Sequence, residues 1–325
     1  MVFWAPIKDK ISILPMIIHI PCSVSPKING FPLSRISGKL LGRKRNPRFG
    51  RQTMTMLAPP TSLFLSHGSP TLLIEKETPT HAFLRSLAPV VAQATALLMV
   101  SAHWMTREVQ VGGAATPETI HDFYGFPPAL YAMRHPAYGA PEIAAKTVAL
   151  LRGAGYAATI DSHQGLDHGA WTPLRLMDPD ARLPAFQVSV LHRGSAADHL
   201  ALGRALAPLT REGVLVIGSG AITHDLRTFR GQPVDARPEQ DTRAFADWIA
   251  QQTEAKDLKA LLDYRAQAPF ARRHHPTDEH LMPFYVALGA AGEGATGTRL
   301  HDGTTHAMLA MDAYAFHQTA AQVSA

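Results

Sequence analysis

Cysteine is nearly absent from this chain: Cys22 is the only one in 325 residues. That excludes a disulfide framework, fits a reducing cytosol, and leaves His, Asp and Glu as the side chains able to hold a metal. Acidic residues are missing from the first part of the chain. Residues 1–53 hold ten of the 31 Lys and Arg but only one, Asp9, of the 26 acidic residues. The remainder carries 21 basic and 25 acidic side chains, a net charge of −4, although the whole chain is at +5. The basicity therefore gives no case for nucleic-acid binding by the body. No apolar run reaches membrane-spanning length, and Pro15 and Pro21 interrupt the N-terminal run that a signal peptide would need whole. We read residues 1–56 as a basic, disordered or non-native extension, with Met54 or Met56 as the natural start; a transit peptide is the alternative. Residues 57–325 then form one domain.

Short apolar runs are what the body does have. Ser62-Leu63-Phe64-Leu65 leads into Ser66-His67-Gly68-Ser69-Pro70, and Ala96-Leu97-Leu98-Met99-Val100 leads into Ser101-Ala102-His103-Trp104. Such runs read as buried strands of an α/β sheet, and sheets of this kind bind ligands beyond the carboxyl ends of their strands. Either histidine alone would be read as a hydrogen-bonded strand-end residue; the two together are candidate metal ligands on rigid supports. Further strands are predicted at 109–111, 156–160, 185–190 (alternating) and 213–218, with a return to the sheet at 307–311. Helices are predicted from Pro141, over 195–206 and, both amphipathic, over 239–253 and 279–291. The expected fold is a single α/β domain, a central mixed sheet flanked by helices, with the metal site at the strand C-terminal ends.

Histidine is abundant, with 17 residues. Besides His67 and His103, three sit in short polar motifs: His168 in a turn, Asp167-His168-Gly169-Ala170-Trp171; His224 after a glycine-containing turn, Gly218 to Thr223, that would let backbone approach a ligand; and His280 near a helix start. His274 and His275, in a run with Arg272 and Arg273, read as solvated surface. His81, His135, His163, His192, His199, His301, His306 and His317 lack a usable motif. Three neutral imidazoles without thiolate suit Fe(II) or Zn(II), less often Mn(II) or Cu(II), and leave positions vacant for catalysis. Two more histidines could move protons near neutral pH. The patternless stretch 116–138 is a candidate pocket wall.

At these residues the chain resembles the class III extradiol ring-cleavage dioxygenases (LigB superfamily), of the 4,5-DOPA-extradiol-dioxygenase type, from Leu63 to about Gly292. The motifs are Ser66 to Pro70, Val100 to Trp104, Thr119-Ile120-His121-Asp122-Phe123-Tyr124-Gly125-Phe126-Pro127, Asp167 to Trp171, Ser219 to Leu226 and Glu279-His280-Leu281-Met282-Pro283. The resemblance implies a catalytic domain over 57–325 that uses O2 to open a DOPA-like catechol to a muconic semialdehyde. It implies His67, His103 and His280 as ligands of Fe(II), or of Zn(II), with Glu279 adjacent and His224 as a possible fourth ligand. His224 is the implied base and His168 the proton donor, while Trp104, His121, Asp122 and Tyr124 shape the catechol pocket. No membrane or nucleic-acid partner is implied, and a homo-oligomer is open. Two rivals stand beside it: a zinc hydrolase, and a non-catalytic metal-binding protein on the same fold.

Overall fold

The computed structural model describes residues 60–318; the reading of residues 1–56 lies outside them. Six strands make the central sheet: β1 (Ser62–Ser66), β2 (Ala96–Ser101), β3 (Ala185–Gln187), β4 (Val214–Gly220), β5 (Thr296–His301) and β6 (Ala313–His317). Their spatial order is β3-β2-β4-β1-β6-β5. The first four run parallel, β6 is antiparallel to β1, and β5 is antiparallel to β6. The sheet is therefore mixed, as expected.

Helices cover both faces: α1 (Pro79–Ser86), α2 (Pro141–Gly153), α3 (His168–Met177), α4 (Ala196–Thr210), α5 (Gln240–Ala255) and α6 (Met282–Ala290). Successive strand residues point to opposite faces. Phe64, Leu98, Val100 and Val216 join one core with α2, α4, α5 and α6. Leu63, Leu65, Leu97, Met99 and Ile217 join the other with α1 and α3. Burial on both sides is why β1, β2 and β4 read as unbroken apolar runs. Among the described residues no helix is long and apolar enough to cross a membrane.

Several sequence expectations are corrected. The segment 185–190 is not one strand: β3 ends at Gln187, and Val190–Leu191 pairs with Met105–Thr106 outside the sheet. Its polar residues are as buried as its apolar ones, because Gln187 donates to the Gly165 carbonyl and Ser189 accepts from the Gln110 amide. The strand expected at 156–160 shrinks to Thr159–Asp161, paired with Gln110–Gly112. Leu309–Ala310 pairs only with Thr304–Thr305, so the return to the sheet is made by β6 rather than by 307–311. The helix after Glu279 starts at Met282 and is not amphipathic: packed between sheet and α4, it is buried almost all round.

His274 and His275 are buried, not solvated. The His275 Nε2 donates to the Ile222 carbonyl at 2.7 Å, a bond that needs no charge on the ring. Burial pushes its pKa down to about 4, although that carbonyl works the other way. The unfolded chain therefore binds a proton below its ordinary pKa near 6.5 that the folded chain refuses until about pH 4, and this share of stability is lost as pH falls through that window. His275→Gln keeps a donor for Ile222 and removes the titration. Between pH 6.5 and 5 the variant should lose on the order of 2 kcal/mol less stability than wild type. Denaturant unfolding at several pH values measures this; parallel pH profiles would contradict it.

Candidate active site

Three neighbouring parallel strands, β2, β4 and β1, end at one edge of the sheet, and each is followed by a histidine. His67 comes directly after β1, His103 two residues after β2 and His224 four residues after β4. The ladder runs on past the strand ends, with the His67 amide donating to the Gly220 carbonyl and the Ala102 amide to Ser219, each at 3.0 Å. His280 arrives from the turn before α6, where the Ala221 amide donates to its carbonyl at 2.8 Å. That approach depends on Gly220, since a Cβ there would stand 2.0 Å from the His280 oxygen. Gly218 and Gly220 lie within β4 and make room for the backbone of 280–283. They do not form the ligand-approach turn read from the sequence. Gly220→Ala should cost about 1–3 kcal/mol by overpacking and displace His280; unchanged melting temperature and metal content would refute this packing argument.

The imidazoles converge. His67 Nε2 and His103 Nε2 are 3.0 Å apart. Ser219 donates its hydroxyl hydrogen to the Gly169 carbonyl, so its oxygen accepts from His67 Nδ1 at 3.1 Å and leaves a lone pair on His67 Nε2. His280 Nδ1 faces the Glu279 carboxylate at 3.1 Å, which can only accept, and His280 Nε2 is buried without a hydrogen-bond partner. Asp122 Oδ2, 3.6 Å from His103 Nδ1, favours a proton there too. Ligand atoms of His67, His103 and His280 all lie within 4.8 Å of one another. Two imidazoles sharing one ion at about 2.1 Å stand about 3.0–3.4 Å apart, so the donor set fits a first-row divalent metal. Burial first, and the charge of neighbouring imidazoles second, holds His67, His103 and His280 well below the ordinary histidine range. They are neutral, the form a metal needs.

Two further histidines border this trio. His168 does not sit in a turn: it opens α3, whose N-cap is Asp167. The capping carboxylate also accepts from the Ser101 hydroxyl at 2.6 Å, which ties the helix start to the end of β2. The helix can come so close because residue 169 is glycine; a Cβ would meet the Ser101 Oγ at 2.4 Å. Asp122 Oδ1 accepts from the His168 amide and stands 2.9 Å from its Nδ1, leaving Nε2 as the free ring nitrogen. His224 stacks on His280 with ring centroids 3.4 Å apart and planes 11° from parallel. Burial, only partly offset by the Glu279 charge, pushes His224 down to about 4. Asp167 is pushed up to about 6 by burial and then by the charge of Asp122.

These groups open onto a cavity lined by His67, His103, His168 and His224. Of the four residues read as pocket walls, Asp122 lines it and the other three do not. Trp104 is buried, its backbone pairing with Ser101 and Val190. His121 turns its Nε2 to the Met133 carbonyl at 3.0 Å, and Tyr124 is largely exposed. Their loop supplies Phe123 and Phe126 instead, and Leu226 and Met311 complete the wall; none of these was singled out in the sequence. The aromatics of the patternless loop were the available signal, but not which of them faced inward. Asp225 caps the short 3-10 turn Leu226–Thr228 and pairs with Arg227.

The comparisons with known proteins agree with this geometry. Residues 61–316 match the family model described as the catalytic LigB subunit of aromatic ring-opening dioxygenase. The 4,5-DOPA dioxygenase extradiol of Beta vulgaris is 37% identical over 266 residues, covering 79% of this chain and 97% of the relative. The protein of the same name in Escherichia coli K12 is 37% identical over 236 residues, covering 70% of this chain and 84% of the relative. A crystal structure of an uncharacterized Escherichia coli K12 protein superposes with a TM-score of 0.65 at 30% identity, covering 78% of this chain and 98% of the other. A histidine-built, metal-competent site at the strand ends and a family match over the whole described body lead to one conclusion: the chain belongs to the LigB family of aromatic ring-opening dioxygenases.

Proposed function

We propose that this protein is a metal-dependent extradiol dioxygenase that opens a catechol with O2 to a muconic semialdehyde, with Fe(II) held by His67, His103 and His280. The observation that carries the reading is that His280, whose Nε2 is buried without a hydrogen-bond partner, offers a ligand atom within 4.8 Å of those of His67 and His103, beside a cavity able to take an aromatic ring. Bound there, Fe(II) would supply the redox chemistry that brings O2 and an aromatic diol into reaction.

The protein's own residues then have three tasks. Phe123 and Phe126 offer apolar surface to the ring and exclude water from it. His224, neutral at pH 7, accepts a proton from a substrate hydroxyl. His168, held through Nδ1 by Asp122, moves a proton at Nε2. Catechol and O2 together have the composition of the semialdehyde acid, so a proton taken from a substrate hydroxyl is given back during ring opening, and the one proton released overall at neutral pH comes from the new carboxylic acid. Two separately placed histidines suit that demand. Anaerobic loading with Fe(II) or with Zn(II), followed by oxygen uptake on catechol, tests the proposal. Uptake with Fe(II) and the yellow semialdehyde are expected; catechol-independent hydrolysis by the Zn(II) form would overturn it.

A further inference from the structure

We infer that, granted the ring-cleavage reading, Asp122 is a positioning residue shared by two histidines: one carboxylate oxygen orients the proton carrier His168 and the other the metal ligand His103. Oδ1 accepts from the His168 amide at 2.9 Å and stands 2.9 Å from His168 Nδ1. Oδ2 stands 3.6 Å from His103 Nδ1. Donor atoms of the three side chains all lie within 4.8 Å of one another, and the two rings are 3.9 Å apart between centroids. The main chain aims the carboxylate. The Leu166 amide donates to the Glu118 carbonyl at 2.7 Å, and the Ile120 amide to the Leu166 carbonyl at 2.8 Å. Trp171 Nε1 then donates to the Ile120 carbonyl at 2.9 Å, which pins this segment to α3 without help from the Asp122 side chain. His168 is the first residue of α3, so its amide has no acceptor inside the helix, and a carboxylate there also meets the positive end of the helix dipole. An acceptor facing both Nδ1 atoms holds their hydrogens there. It leaves a lone pair on each Nε2, one for a metal and one for a proton.

Asp122→Ala tests this. Chelator competition on the Zn(II) form should show metal bound about 10–100-fold more weakly than in wild type. In ¹⁵N-histidine NMR of the Zn(II) form at alkaline pH, with His168 assigned by comparison with His168→Ala, wild type should carry the ring proton on Nδ1. Asp122→Ala should lose that preference. In the Fe(II)-saturated protein kcat should fall about 10–100-fold with catechol KM unchanged. Added to His168→Ala, the same substitution should again weaken metal binding but cost no further kcat. Asp122→Asn, which keeps one neutral oxygen for the His168 amide, should show the same losses in smaller measure, so the test survives a fold that tolerates alanine poorly. Unchanged metal affinity or an unchanged His168 tautomer overturns the inference, as does a kcat loss equally large without His168. The first two readouts decide it whether or not oxygen is consumed, so a failure of ring cleavage is read separately.

Discussion

His280→Ala should strip the protein of most of its bound metal while leaving the fold intact. The residue contributes a buried lone pair at Nε2 that nothing else in the described structure occupies, and its Nδ1 is steered by Glu279. Loss of an outer partner of a ligand costs about 10–100-fold in metal affinity, so loss of the ligand itself should cost more than about 100-fold. His67→Ala and His103→Ala should behave alike, each leaving two of the three donors. His168→Ala should retain the metal, because its ring is held by Asp122 and lies against His103 at 3.9 Å between centroids without belonging to the trio. Metal analysis of the four purified variants settles the assignment. Full occupancy in His280→Ala would move the third ligand to Glu279, which already stands with His224 and His280 in a second potential donor group.

His224→Phe should separate binding from chemistry. The native ring stacks flat on His280, and phenylalanine can keep that stack while losing both nitrogens. If His224 takes the substrate proton, ring cleavage falls by about two to four orders of magnitude with metal content and melting temperature unchanged. The loss should appear in kcat rather than in catechol affinity, since the removed interaction belongs to the proton transfer. A metal-depleted His224→Phe would make the site a four-histidine one and pass the base role to His168. Wild-type turnover in the metal-replete variant would remove the proton-transfer assignment altogether.

The parts of this molecule that were legible in the sequence are those where local pattern and environment agree. β1, β2 and β4 are buried on both faces, so their apolar runs declared them, and His67 and His103 follow within two residues. His280 lies 213 residues beyond His67, and nothing local brings it to the site; the Ala221–His280 backbone bond and the bare Cα of Gly220 do. Its place near a helix start made it a candidate, and its role as third ligand came from a family likeness. α6 was misread as amphipathic because a helix clamped between a sheet and another helix has no polar face to display. His274 and His275 were misread because neighbouring arginines suggested solvent, whereas Arg273 pairs with Glu239 and Asp241 and the imidazoles turn inward. In the loop from Thr116 to Tyr138 no period separates inward from outward residues. The sequence located a wall there but assigned it Tyr124 and His121 where the structure uses Phe123 and Phe126.

The most direct test is mass analysis of the product formed by the Fe(II)-loaded protein from catechol under ¹⁸O2. Extradiol ring cleavage requires both labelled atoms in one semialdehyde molecule, with one O2 consumed for each catechol lost. Product carrying one labelled atom or none, or oxygen consumption that ends in peroxide and an intact ring, would contradict it.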